Sequence, residues 1–186
     1  ERYMKVLIPY IHQLGVDEVH IWDYTRNESD AAYLKQACSM FQIFSVTDKS
    51  NYNEYYRYYT KERYPEPETV IIKCDDDIVF IDTSSFKSFI EARRASNALL
   101  FSPAVVNNPV CGLIQFQRGL LPSFSLSDFG MDALYANKIH KHFLKNPRRF
   151  IAECKKTVRF SELPIPASYR FNINFIAILA RDLDVF

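Results

Sequence analysis

Apolar and polar residues alternate between two periods along the first hundred positions. Tyr3, Leu7, Ile11 and Leu14 recur at helical spacing and Gly15 follows, so a helix is predicted from Arg2 to Leu14. Val16 to Asp23 then alternates as a strand and ends in Trp22-Asp23-Tyr24-Thr25. Asn27 and Asp30 are candidate caps for a helix whose apolar side is Ala31, Leu34, Cys38 and Phe41. A short strand is expected at Ile43–Val46. Asn51 with Glu54 gives a capping-box pattern for a helix carrying Tyr52, Tyr55, Tyr56 and Tyr59. A tyrosine stripe at that spacing reads as core before it reads as a ligand platform.

The stretch Thr69–Asp82, TVIIKCDDDIVFID, breaks this rhythm. Thr69 to Ile72 reads as a buried strand. It runs into Asp75, Asp76 and Asp77, whose like charges at ~4 Å repel by about 1 kcal/mol even in water. In extended backbone Asp75 and Asp77 share a side and Asp76 points away. Two carboxylates at a strand end suit a hard divalent cation, Mg²⁺ or Mn²⁺. The plainer reading is a solvated acidic turn.

Beyond Asp82, Thr83 or Ser84 is expected to cap a helix with Phe86, Phe89 and Ile90 inside, and Ala98–Phe101 to form a strand. Asn107-Asn108-Pro109 reads as a break, and Val110–Phe129 as a long apolar loop, a lid or an acceptor-side wall. Helices are predicted at Met131–Leu144 and Arg148–Lys156, a turn at Pro164 and Pro166, and a last buried strand from Phe171 to Leu179. Alternating strands and helices argue for an α/β fold with a mostly parallel central sheet flanked by helices, in a single domain. In such sheets ligands gather at the carboxyl ends of strands, where Asp23, Thr25 and the three acids lie.

Composition narrows the chemistry. Among 186 residues, 12 are Tyr and 15 Phe but only 4 are Gly, and neither a P-loop nor a dinucleotide glycine fingerprint occurs. The net charge of +1 gives no nucleic-acid footprint, and Arg93-Arg94, Arg148-Arg149 and Lys155-Lys156 read as wet helix faces. The 4 cysteines have no zinc-site spacing, and a reducing, cytoplasmic setting fits them. No apolar run is long enough to span a membrane. His140 and His142, two apart on a helix, do not share a face for a joint metal site.

The strings VDEVHIWDYT, VIIKCDDDIVFID and FNINFIAILA, with the tyrosine-rich helix between the first two, resemble GT-A-type glycosyltransferase domains of large DNA viruses, chlorella viruses in particular. The D-x-D alone is of low specificity; its context is more specific. The resemblance covers most of the chain and implies a metal-dependent transferase. Such an enzyme moves a sugar from a nucleotide-diphosphate donor, UDP-linked, to a glycan or glycoprotein acceptor. It implies Asp75 and Asp77 as metal ligands, Asp77 the more direct, with Mn²⁺ or Mg²⁺ holding the diphosphate. Asp23, Tyr24, Thr25, Arg57, Lys73 and Asp76 would border the nucleotide. Asp182 is the candidate catalytic base, unless that base lies beyond Phe186. The family's domains open on a strand, so a chain starting in a helix is expected to be a piece lacking it. A viral chain would work in the host cytoplasm. Two other readings remain. One is a haloacid-dehalogenase-type phosphatase with Asp75 as nucleophile, Asp77 as acid/base and Asp182 with Asp184 as acidic pair. The other is a non-catalytic sugar-binding domain.

Overall fold

The protein is described by a computed structural model covering residues 3–50, 54–125, 132–155, 157–159 and 173–185. It mixes helix and strand and groups into two compact units, residues 1–100 with 177–186, and residues 101–176. Each is taken by itself. No helix among the described residues is long and apolar enough to cross a membrane.

The first unit opens with helix α1 (Met4–Leu14), closed by Gly15 at φ 63°, a left-handed conformation that suits glycine. Strand β1 (His20–Asp23) is shorter than expected. Helix α2 (Glu28–Ala37) is capped as predicted, with Asn27 Oδ1 accepting the Ser29 N–H at 2.9 Å. Strand β2 (Gln42–Ser45) pairs in parallel with β1, Ile21 opposite Ile43 and Trp22 opposite Phe44.

That register sorts side chains to two faces. Ile21 and Ile43 pack on a core of Met4, Leu7, Leu34 and Cys38 supplied by α1 and α2. On the other side Trp22 stacks on Phe44, ring centres 4.6 Å apart and planes 9° apart. Helix α3 (Glu54–Tyr58) and the residues after it close over that aromatic surface. Tyr58 lies 5.5 Å from Trp22 and 4.7 Å from Phe44, and Arg63 sits 3.8 Å over the Tyr58 ring. Of the predicted tyrosine stripe, Tyr55 and Tyr59 are half-buried in this layer, Tyr56 is exposed and Tyr52 lies outside the described residues. Asn51 lies outside the described residues. The Glu54 carboxylate accepts the Asp48 N–H at 3.4 Å.

Strand β3 (Val70–Cys74) pairs with β4 (Phe175–Leu179), and the Ala180 N–H donates to the Thr69 carbonyl at 2.9 Å. The expected central sheet is not found among the described residues: β1–β2 and β3–β4 are separate two-stranded sheets. The expected strand at Ala98–Phe101 is also absent, apart from a single bridge at Phe101. Asn97 to Phe101 has no β-branched residue, and the Leu99 carbonyl accepts from Arg93 instead of a neighbouring strand. Neither Thr83 nor Ser84 caps the next helix. They belong to a 3-10 turn, Thr83–Ser85, where Asp82 accepts from the Ser84 and Ser85 hydroxyls before α4 (Phe86–Ala95).

In the second unit the expected loop Val110–Phe129 begins as a helix as far as Gln117, and its residues 126–129 lie outside the described residues. Asn108 caps α5 (Pro109–Gln117), its side chain accepting the N–H groups of Val110 and Cys111 at 3.0 and 3.1 Å. Asn at the cap with Pro in the first turn starts a helix, which is why reading this pair as a break fails. Leu120 and Leu121 join Ile139 and Phe150 in a core, so the apolar residues after α5 serve packing. Helix α6 (Ala133–Lys145) is capped by Asp132 and α7 (Pro147–Glu153) by Asn146. The predicted turn at Pro164 and Pro166 lies outside the described residues.

His20 is the titratable group inside the aromatic layer. Its Nδ1 lies 3.0 Å from the Tyr59 hydroxyl and its Nε2 3.4 Å from Glu18, with Tyr58 and Phe44 edge-on to the ring. Burial pushes its pKa below 6.5, Arg63 adds to this, and Glu18 opposes it. A base lowered in the folded state leaves stability intact above the unfolded value. That stability falls as protons bind the unfolded chain below it. Thermal melts from about pH 7.5 to about pH 5.5, either side of the ordinary histidine value, should show a decline that His20→Gln reduces. An identical decline in the variant would assign it to other groups.

Candidate active site

The acids Asp75, Asp76 and Asp77 follow β3 in a turn, so the strand alternation that put Asp75 and Asp77 on one side stops at Cys74. Asp75 is half-buried and pairs with Lys73, which precedes it by two residues on β3. Asp76 and Asp77 are exposed. Partial loss of solvent around the carboxyl, then Asp75 and Asp76, push Asp77 above its ordinary value of 3.8 although the residue as a whole is exposed. The three charges thus act on one another, against the one cation already paired to Asp75.

The end of β1 reaches the same neighbourhood through Tyr55 of α3. The Tyr55 ring lies 6.3 Å from both Trp22 and Tyr24, and 4.0 Å from Tyr56. Burial pushes the Tyr55 phenol up, and Tyr56, Asp75 and Tyr24 add to it. Tyr55 is therefore the side chain that senses both the strand-end tyrosine and the first acid. Asp23 is buried and folded back on its own loop: Oδ1 accepts the Thr25 N–H at 2.9 Å and the Thr25 hydroxyl at 2.5 Å. This fixes the loop after β1 as an Asx turn.

Lys49, just after β2, donates to the Thr25 carbonyl, and Arg26 donates back to the Lys49 carbonyl at 3.2 Å. The sequence gives Tyr55 as a core residue of the tyrosine stripe and does not single out Lys49. Lys49 had a signal, a cation at the carboxyl end of the strand beside β1. Arg57 is exposed on α3, and no hydrogen bond or ion pair joins it to Asp75, Asp76 or Asp77 among the described residues.

Asp182 is placed elsewhere, in the 3-10 helix Ala180–Val185. It accepts from Arg93 of α4 at 2.9 Å, and Arg93, 0% exposed, also donates to the carbonyls of Ser96 and Leu99. Burial pushes the guanidinium down and Asp182 opposes this, so the carboxylate holds a buried charge. No contact joins Asp182 to the β3 acids among the described residues.

No group of three or more His, Cys, Asp or Glu side chains able to share a metal ion occurs among the described residues. A Mg²⁺-type site does not require one, since one or two carboxylates with substrate phosphates complete it. The crowded, exposed Asp76 and Asp77 suit that arrangement, while Asp75 would have to exchange Lys73 for the ion. Comparison with protein families, curated proteins and solved structures found nothing that matches this chain.

The Arg93–Asp182 pair yields a test of its own. Removing one partner of a buried pair leaves the other charge uncompensated. Asp182→Ala should therefore lower the unfolding free energy by about 3 kcal/mol, the lower end of the range because Asp182 is partly exposed. Urea denaturation with Asp182→Asn alongside measures it. Unchanged stability in both variants would free Asp182 from this structural role.

Proposed function

We propose that the ends of β1 and β3 bind the diphosphate of a nucleotide sugar with a divalent cation, and that the protein is a glycosyltransferase. The observation carrying this reading is the run of three carboxylates directly after β3, linked to the end of β1 through Tyr55. Asp77 would hold the ion first, with Asp75 joining directly or through water. The cation, Mn²⁺ or Mg²⁺, would neutralise charge developing on the leaving nucleoside diphosphate.

The chain's own side chains have distinct parts in this reading. Lys73 limits the repulsion around Asp75 in the ligand-free protein and becomes available to phosphate oxygens when Asp75 turns to the ion. Asp23 holds the turn that presents Tyr24 and Thr25. Tyr24 and Tyr55 offer an aromatic edge to the base or ribose, and Lys49 and Arg57 are cations at the rim. The acceptor is a glycan or glycoprotein hydroxyl, with Asp182 as its base only if it exchanges Arg93 for the acceptor.

Calorimetric titration of UDP-sugars with and without Mn²⁺ tests the reading. Wild type should bind more tightly with metal, and Asp77→Ala should lose at least about tenfold, as expected when a charged contact worth some 1.4 kcal/mol is removed. Asp76→Ala should lose less. Equal, metal-independent affinity in wild type and Asp77→Ala would contradict the proposal. Mg²⁺-dependent release of inorganic phosphate from an aryl phosphate would favour phosphatase chemistry at Asp75.

A further inference from the structure

We infer that the outer face of α6 is a docking surface for an anionic phospholipid membrane. This surface belongs to the second unit and does not rest on the nucleotide-sugar reading. Charge is divided unevenly along the chain. Residues 101–176 carry ten Lys and Arg against four Asp and Glu; the rest of the chain carries thirteen against eighteen. The near-neutral total conceals a basic unit.

The basic groups are not equivalent. Arg118 donates to the Glu153 carbonyl and Arg149 to the Gly119 carbonyl, so both tie the unit together. Lys138, Lys141 and Lys145 are exposed on α6 and make no hydrogen bond or ion pair among the described residues. With Leu134 they recur at intervals of four, three and four, which places them on one stripe of the helix. Of the acidic residues near this stripe, Asp132 is occupied in capping, accepting the N–H groups of Leu134 and Tyr135.

Two leucines of α6 are also turned away from the core, Leu134 in line with the lysines and Leu144 about a quarter turn to one side of them. Leu134 is 81% exposed and Leu144 70% exposed, while Ile139 and Phe143 of the same helix face the core. They stand ten residues apart, roughly 15 Å along the axis at 1.5 Å per residue. Beside the helix a groove of 370 Å³ is lined by Leu121, Pro122, Tyr135 and the three lysines. A leucine within a lysine stripe and a second beside it match a bilayer boundary, where apolar side chains enter between headgroups and ammonium groups meet phosphates. A nucleic acid is the poorer match, because the line of lysines itself carries a leucine and no aromatic ring for base stacking. At 13 residues the helix is shorter than a span, so it would lie on the surface.

Co-sedimentation of the whole chain with phosphatidylcholine vesicles, with and without phosphatidylserine, tests this. Wild type should sediment only with the anionic vesicles. Lys138→Gln with Lys141→Gln and Lys145→Gln should weaken binding on the order of a hundredfold. Leu134→Ser with Leu144→Ser should also weaken it, and should do so even in raised salt, where the lysine contribution fades. All five positions are exposed, so melting temperatures should stay unchanged. No binding to either vesicle, or equal binding to both, overturns the inference. So does binding that the leucine variant leaves intact and an oligonucleotide displaces, which would assign the stripe to a general polyanion.

Discussion

The stacking of Trp22 on Phe44 across the β1–β2 pair is the contact on which the candidate site depends. One register places isoleucines on the helical core and aromatic rings on the opposite face. A shift of one residue would exchange the two sets and expose both. The rings then receive Tyr58 and Tyr59, which hold α3 in place, and α3 in turn carries Tyr55 beside Tyr24, within electrostatic reach of Asp75. No shared sheet joins the acids to the end of β1 among the described residues, and the electrostatic reach of Tyr55 to Asp75 is what relates the two.

Electrostatics works differently at two places in the same unit. Arg93 is buried and nearly satisfied by Asp182 and two carbonyls, which is a structural use of charge. The acids after β3 are the reverse, three carboxylates close together with one lysine, Lys73 of β3, paired to the first of them. A protein that needed only a turn there would gain stability by dispersing them, because like charges at such separations repel. Keeping them together is the kind of local disadvantage that a bound cation removes.

Much of the local structure was legible because its signals act over a few residues. Gly15 and Asn27 mark helix ends through backbone geometry and capping, and the structure puts both where the sequence did. The helix at Pro109 was hidden because Asn-Pro both breaks and starts helices, and only the burial of Val110, Cys111 and Gln115 separates the two. The sheet was misjudged for a different reason. Strand pattern tells which residues extend and not which strand they meet, and the burial of Arg93 against Asp182, which brings its guanidinium to the Leu99 carbonyl, is a tertiary fact with no local signature. Within the site, the acids were visible as an anomaly in the sequence, whereas Tyr55 acquires meaning only from its neighbours in space.

The central claim is that the end of β1, the tyrosines of α3 and the acids after β3 form one site. Trp22 is the single tryptophan of the chain and stacks within that aromatic layer, so its fluorescence reports on the site alone. Titration with Mn²⁺, a paramagnetic quencher, in the presence of a nucleotide sugar should give saturable quenching. Mg²⁺ should not reproduce it, and Asp77→Asn should abolish it. Mn²⁺ that binds by electron paramagnetic resonance yet leaves Trp22 emission unchanged would show that the acids and the β1 end are separate, and would contradict the account.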